Sequence, residues 1–194
     1  MTDYPTIETA RLALRPWTLD DAPTLQRLAA RREIADTMIS IPHPYGAEQA
    51  KAWIASHPHD FAQGRAVHFA IQLKSSGQLI GATELRSIDM EHAHAEISLW
   101  IGVEWWGRDF ATEAAAAMLR YGFEQLELNR IHAYHMVRNP ASGHVMEKIG
   151  MRQEGLLRQC VRKWGRFEDV VLRAVLREDW AVSAGMVSSR PDAA

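Results

Sequence analysis

The spacing of apolar residues predicts strands along much of the chain. Leu12 and Leu14 alternate with other residues before Pro16, which is the pattern of a half-buried strand ended by a proline. Residues 66–74 and 78–88 flank a Ser-Ser-Gly turn and predict a hairpin. Further strands are predicted over residues 93–103, 130–137, 153–161 and 169–176, with Trp164-Gly165 in the last turn.

Helical spacing predicts four helices between these strands. Leu25, Leu28 and Ala29 recur at intervals of three and four, so a helix is expected from about residue 19 to about residue 34. Residues 39–45 contain two prolines and predict a loop. The other helices are predicted over residues 47–54 (interrupted by Pro58), 112–127 and 142–149. This order favours a mixed sheet with helices on both faces, an α/β (α+β) fold.

Composition indicates one globular domain. The chain has 194 residues, of which 47% are hydrophobic and 24% are charged, so we expect one domain over residues 1–180 and a flexible tail over residues 181–194. The formal charge of −2 provides no basic field, so no nucleic-acid partner is expected. No apolar run reaches the roughly 18 residues of a membrane span and no leader pattern is present, so we expect a cytoplasmic protein without a membrane partner.

Metal and thiol chemistry have little support in the sequence. Cys160 is the single cysteine, which excludes an internal disulfide, and we expect it to be buried in a strand. No metal is predicted, because seven histidines lack the paired spacing and the carboxylate partners of a zinc site: His43, His57, His59, His92, His132, His135 and His144.

Two segments lead from a predicted strand into a predicted helix. In the first, residues 103–114 (VEWWGRDFATEA), a glycine precedes the helix, whose free N–H groups and positive dipole end favour a phosphate. A turn that needs Gly107 for positive φ explains this segment equally well. In the second, residues 137–151, Asn139 or Ser142 is a plausible N-cap.

Taken together, six segments resemble the GNAT family of acyl-CoA-dependent N-acyltransferases, and in particular its RimJ/RimL-like branch of ribosomal-protein N-terminal acetyltransferases. They cover about residues 7–180. The segments are ETARLALR (8–15), Ile80-Gly81, residues 95–102, WGRDFATEA (106–114), NPAS (139–142) with EKIGM (147–151), and LREDW (176–180). The resemblance implies a GNAT fold with a mostly antiparallel sheet of about seven strands and about four helices.

The resemblance also implies that acetyl-CoA is the cosubstrate. Its pyrophosphate is expected on residues 107–112 and its pantetheine arm along a splayed strand edge within Glu96–Val103. Asp109 stands where the family commonly has glycine, and we expect Arg108 to offset its charge. The implied cofactor-binding residues are Ile101, Val103, Gly107, Arg108, Asp109, Phe110, Ala111, Thr112, Asn139 and Ser142.

Two residues are candidates for proton transfer. Many members of the family have a tyrosine that acts as the general acid, and Met146 stands at the matching position here. Ser142 matches the serine proposed as the acid in the RimL-like branch, and helix capping is its alternative role. Glu96 is the leading candidate for the base because it lies on the polar face of strand 93–103, with an ion-paired strand residue as the alternative. His94 shares that face, and the RimL-like carboxylate is matched by Val161.

The resemblance leaves the acceptor open. The N-terminal α-amine of a (ribosomal) protein is the leading prediction, and a small-molecule amine or a non-catalytic acyl-CoA-binding module is the alternative. The acceptor cleft is expected between residues 19–63 and the turn at 162–168. Trp53, Trp100 and Trp164 are predicted in the core or in that cleft, and the protein is expected to be a monomer or a homodimer.

Overall fold

The computed structural model describes residues 4–183, which form one eight-stranded sheet in the order β1-β2-β3-β4-β5-β6-β8-β7. The strands are β1 (Ile7–Glu8), β2 (Leu12–Arg15), β3 (Val67–Leu73), β4 (Leu79–Asp89), β5 (His94–Ile101), β6 (Arg130–Met136), β7 (Arg152–Lys163) and β8 (Arg166–Leu176). Neighbouring strands are antiparallel except β5 and β6. The predicted mixed sheet is confirmed, with one strand more than expected because two-residue β1 pairs with β2.

Helices cover both faces of the sheet, as predicted. They are α1 (Ala22–Ala29), α2 (Arg32–Thr37), α3 (Ala47–Ala62), α4 (Phe110–Glu124), α5 (Pro140–Lys148) and α6 (Arg177–Ser183), with single 3-10 turns at Leu19–Asp21 and Val103–Trp105. α4 and α5 share an apolar cluster with one face, and α1 to α3 share a second cluster with the other face. Within residues 4–183, none of these helices has the length and apolar character of a membrane span.

The prediction of one helix over residues 19–34 is wrong. α1 ends at Ala29, and Arg31 is extended (φ −61°, ψ 128°) before α2 begins at Arg32. The Arg31 guanidinium bonds Glu33 at 3.0 Å and Glu104 at 3.1 Å, which ties the break to the start of the 103–105 turn. The apolar spacing continues across the break, so periodicity alone did not reveal it.

The predicted interruption at Pro58 is also wrong, because α3 runs through it from Ala47 to Ala62. A proline inside a helix removes one hydrogen bond, but burial of Ala50, Ile54 and His57 on the inner face of α3 offsets that loss. α3 therefore extends far enough to bring His57 against β3.

His57 gives the fold a testable pH dependence. It is 3% exposed and stacks on His68 with ring centroids 4.0 Å apart, and burial lowers its pKa from 6.5 to about 3. Below pH 6.5 the unfolded state therefore binds a proton that the folded state does not, so stability falls with falling pH. His57→Leu is expected to remove about 2 kcal/mol of the stability loss between pH 7 and pH 5, measured by urea unfolding at both pH values.

A second variant separates titration from packing. His57→Gln also lacks the imidazole, so it should show the same reduced loss even if its stability at pH 7 differs from that of His57→Leu. A wild-type pH dependence in both variants would contradict the assignment.

Three smaller expectations are corrected. β5 ends at Ile101, so Val103 lies in the 3-10 turn and not at a strand edge. Cys160 is exposed because β7 is an outer strand of the sheet. α6 continues to Ser183, past the predicted start of the tail at residue 181, and the rest of that tail lies outside the described residues.

Candidate active site

The centre of the sheet opens where β5 and β6 diverge. Residues His94–Glu96 of β5 pair with Arg130–His132 of β6, and the pairing ends after these three residues. Further along β5, the carbonyl of Trp100 points at Gly81 of β4, where an added Cβ would lie 2.3 Å from the oxygen, and Gly102 donates to Ile80. Successive residues of a strand direct their main-chain N–H and carbonyl groups to opposite neighbours. The main-chain groups of Ile97, Leu99 and Ile101 therefore face the opening. The opening therefore exposes an unpaired strand edge.

A cleft of about 530 Å³ lies along this edge and between α4 and α5. It brings together nine of the ten predicted cofactor-binding residues: Ile101, Gly107, Arg108, Asp109, Phe110, Ala111, Thr112, Asn139 and Ser142. Val103 is the exception, because it packs against the apolar cluster of α1 to α3 instead. The cleft also contains Glu96 and Met146.

One end of the cleft is the N-terminus of α4. Gly107 has φ +72°, as predicted, and Asp109 is also left-handed (φ 59°, ψ 14°). The first main-chain bond of the helix runs from Glu113 N–H to the Asp109 carbonyl, so the N–H groups of residues 110–112 precede it. Free N–H groups and the helix dipole make this end of the cleft suited to an anion.

The charge of Asp109 is offset, but by a different residue from the one predicted. Lys148 of α5 bonds the Asp109 carboxylate at 2.6 Å and lowers the pKa of that carboxyl. The predicted partner, Arg108, has its main-chain carbonyl bonded by Arg11. The two side chains of the Lys148 pair are 57% and 65% exposed, so the pair contributes little to stability and mainly changes the field at the cleft mouth.

Asp109 provides a prediction for ligand affinity. Asp109→Gly removes a negative charge beside the proposed phosphate position and relieves the left-handed strain, so it should tighten CoA binding about 5-fold and raise Tm. Asp109→Asn removes only the charge and should tighten binding with a smaller change in Tm. Calorimetric Kd values at low salt test both variants, and weaker binding in both would show that Asp109 assists the ligand.

The segment around Arg11 holds the start of α4 in place. Arg11 donates to Glu113 through its main-chain N–H (2.8 Å) and its Nε (2.6 Å), and Thr9 donates to the same carboxylate at 2.6 Å. The guanidinium also lies 4.5 Å from the ring centre of Phe110. Part of the ETARLALR segment therefore has a structural role, which is to fix the helix N-terminus at the cleft.

The adjacent tryptophans close the end of the strand edge. The Trp106 indole N–H donates to the Ile101 carbonyl at 2.6 Å. The Trp105 ring lies against Gly102, where a Cβ would meet it at 2.9 Å. The pair thus fixes the turn that leads from β5 into the proposed phosphate loop.

The N-terminus of α5 forms the opposite wall of the cleft. The Asn139 side-chain oxygen accepts from the Ser142 N–H at 3.3 Å, and Pro140 occupies the first helical position. Asn139 is therefore the N-cap, and the Ser142 hydroxyl is not needed for capping. Ser142 lies at the cleft surface one helical turn before Met146.

Glu96 lines the cleft and is ion-paired to the neighbouring strand. Arg86 of β4 donates to Glu96 at 2.5 Å and to Glu84 at 3.2 Å. On the neighbouring strand β6, His132 lies in register with Glu96, and burial lowers the pKa of this histidine. His94 lies 3.9 Å from Asp89 and does not line the cleft.

Two cleft residues were not singled out from the sequence. Tyr134 of β6 lines the cleft on the same face as Glu96, and its pKa is raised by burial and, to a smaller extent, by the Glu96 charge. His135 also lines the cleft, with its pKa lowered by burial. The register of β5 against β6 is the signal that would have placed Tyr134 near Glu96.

A second cavity of about 290 Å³ adjoins the cleft on the side of α1 and α3. Both cavities are bordered by Met38, Ser40, Arg86, Ser98, Leu99 and Trp100. Trp53 and Trp100 line this cavity, whereas Trp164 is exposed in the β7–β8 turn. The cavity thus lies beside residues 19–63, one of the two expected borders of the acceptor cleft, whereas the turn at 162–168 does not line it.

Comparisons with known proteins agree with this geometry. Residues 11–152 match the model of the acetyltransferase (GNAT) domain. The uncharacterized N-acetyltransferase p20 of Bacillus licheniformis is 33% identical over 91% of this chain and 98% of its own. The [ribosomal protein uS5]-alanine N-acetyltransferase of Escherichia coli is 29% identical over 61% of each chain.

Among solved structures, the spermidine N-acetyltransferase of Vibrio cholerae in complex with CoA and spermine superposes with a TM-score of 0.79. It is 27% identical and covers 89% of this chain and 99% of its own. The domain match, the near full-length relative and the fold agree: the chain belongs to the GNAT family of acetyltransferases and is an N-acetyltransferase.

Proposed function

We propose that this N-acetyltransferase moves the acetyl group of acetyl-CoA to the N-terminal α-amine of a protein, in a cytoplasmic setting, by direct attack of the amine. The observation that carries the proposal is the unpaired edge of β5, which runs past the capped end of α5 towards the free N–H groups at the start of α4. Acetyl-CoA supplies the acetyl group as an activated thioester.

The cleft has polar groups suited to each part of such a ligand. Beyond the last pair between β5 and β6, at Glu96 and His132, the main-chain N–H and carbonyl groups of Leu99 match the amides of a pantetheine arm. Residues 107–112 offer a helix N-terminus to the pyrophosphate. The amide nitrogen of Asn139 remains available to the thioester end, because the side-chain oxygen caps α5.

Two side chains are proposed to act on protons. Ser142 lies at the cleft surface, and its hydroxyl would donate a proton to the departing sulfur while taking one from a neighbouring water molecule. Glu96 would accept the amine proton through a water molecule. The Arg86 guanidinium, which donates to the Glu96 carboxylate at 2.5 Å, holds Glu96 in position. Direct attack needs no covalent enzyme intermediate, which fits the position of the single cysteine: Cys160 is exposed on β7 and does not line the cleft.

An α-amine is the acceptor that makes the smallest demand on this machinery. Its pKa of about 7.7–8.0 leaves a useful neutral fraction at pH 7, whereas a lysine-type amine near 10.4 needs a stronger base. The Escherichia coli relative, which is named for an alanine of a ribosomal protein, supports this class. A small-molecule amine is the second candidate, favoured by the small size of the adjoining cavity.

The test is release of CoA thiol from acetyl-CoA with a panel of N-terminal peptides and small amines. We expect amine-dependent release and thermal stabilisation by CoA. Stabilisation without release for any acceptor would favour a non-catalytic acyl-CoA-binding module. The absence of both thermal stabilisation and thiol release would overturn the proposal.

A further inference from the structure

The cavity beside the cleft has the walls of a site for an apolar group. Its lining includes aliphatic and aromatic side chains from α1, the 38–45 loop, α3 and β5: Leu25, Met38, Ile41, Tyr45, Trp53 and Trp100. Trp100 and Tyr45 are buried, and Trp53 is held by edge-on contacts with Trp17 and His57. We call this cavity the acceptor pocket.

The charged groups at the floor of the acceptor pocket are already paired. Glu84 is the one carboxylate among its described lining residues, and both of its oxygens are engaged, one by His68 at 2.8 Å and one by Arg86 at 3.2 Å. Arg86 in turn bonds Glu96. A second ammonium group entering the pocket would therefore have to displace His68 or Arg86 from Glu84 to gain a carboxylate partner.

Contacts from the β7–β8 hairpin limit the size of the pocket. Lys163 donates to the carbonyls of Met38 (2.8 Å) and Ile41 (2.6 Å), which holds the 38–45 loop over the pocket. Arg138 reinforces this by bridging Asp36 and Glu168, each at 3.0 Å. A volume of about 290 Å³ lies at the small end of ligand sites.

We infer that the acceptor is a primary amine attached to an aliphatic or aromatic group, with no second positive charge on that group. This inference rests on the proposed function, because it places the acceptor's body in the pocket and its amine at the border with the cleft, near Ser98 and Arg86. It separates this chain from an enzyme for polyamines, whose several ammonium groups need several free carboxylates.

The test uses acceptor pairs that differ by one charge. Binding of pentylamine and of cadaverine to the protein saturated with CoA is measured by calorimetry, and thiol release from acetyl-CoA is then followed with the same amines. Tetrapeptides that begin with Phe or Lys form a second pair and distinguish a peptide source from a free amine. We expect the apolar member of at least one pair to be preferred about 100-fold.

The readouts separate the two proposals. Equal or better binding of cadaverine and of the Lys peptide, or no binding of either apolar member, overturns the inference whether or not thiol is released. Binding of the apolar member without thiol release contradicts the proposed function and leaves the pocket assignment supported.

A variant adds a positive control for charge. Ser40 lies in the loop that borders both cavities, so Ser40→Asp places a free carboxylate at the pocket and should improve cadaverine relative to pentylamine about 10-fold. Ser75→Asp, in the exposed turn between β3 and β4, carries the same change away from the pocket and should leave the ratio unchanged. An equal effect of both variants would contradict a local charge effect and overturn the assignment of the pocket.

Discussion

Ser142→Ala is expected to lower kcat about 100-fold while leaving the Kd for CoA and the Tm close to their wild-type values. The hydroxyl is proposed to protonate the departing sulfur, and it has no structural duty that the variant would remove, because Asn139 caps α5. The loss should be largest at alkaline pH, where solvent is a poorer proton donor. Steady-state kinetics across pH 7–10 with thiol detection provide the measurement.

Ser142→Thr is the matched control for this experiment. It keeps a hydroxyl at the same position and should recover part of the lost kcat. If Ser142→Ala leaves kcat unchanged across the alkaline range, Ser142 is not the acid. Tyr134, which lines the same cleft, then becomes the next residue to test.

Ala111→Glu is expected to weaken CoA binding about 100-fold, because it places a carboxylate among the N–H groups proposed to receive the pyrophosphate. Some loss of Tm is expected because the Ala111 side chain packs against the apolar cluster of α4, although an acidic residue in the first turn of a helix interacts favourably with the dipole. Calorimetric titration with CoA, together with Tm, measures both effects.

The same substitution at Ala116 is the control. Ala116 is an exposed residue of the same helix and does not line the cleft, so Ala116→Glu should bind CoA as the wild type does. Equal affinity in the two variants would show that the start of α4 is not the phosphate site.

Local residue chemistry predicted the strands and the glycine turn before α4 well. Alternation in residues 93–103 and the glycine before α4 depend on neighbours within a few positions, and the structure confirms the strand, though it ends at Ile101, and the left-handed Gly107. The break at Arg31 was missed because its ion pair with Glu104 spans 73 positions in the sequence. The predicted interruption of the helix at Pro58 was wrong because burial of the inner face of α3 outweighs the one hydrogen bond that the proline removes.

Pairings within the site were less accessible to sequence reasoning. The partner of Asp109 is Lys148, 39 positions away, and its identity depends on how α5 docks beside α4. The Glu96–Arg86 pair requires the register of β5 against β4. The acceptor pocket combines α1, α3, the 38–45 loop and three strands, so no local pattern predicts its walls.

The most direct test of the account is a crystal structure of the protein with CoA bound. We predict the pantetheine arm along Ile97–Ile101 in the gap between β5 and β6, the pyrophosphate on residues 107–112, and the sulfur facing Ser142 at the border of the acceptor pocket. CoA bound elsewhere, or with its phosphates away from the start of α4, would contradict it.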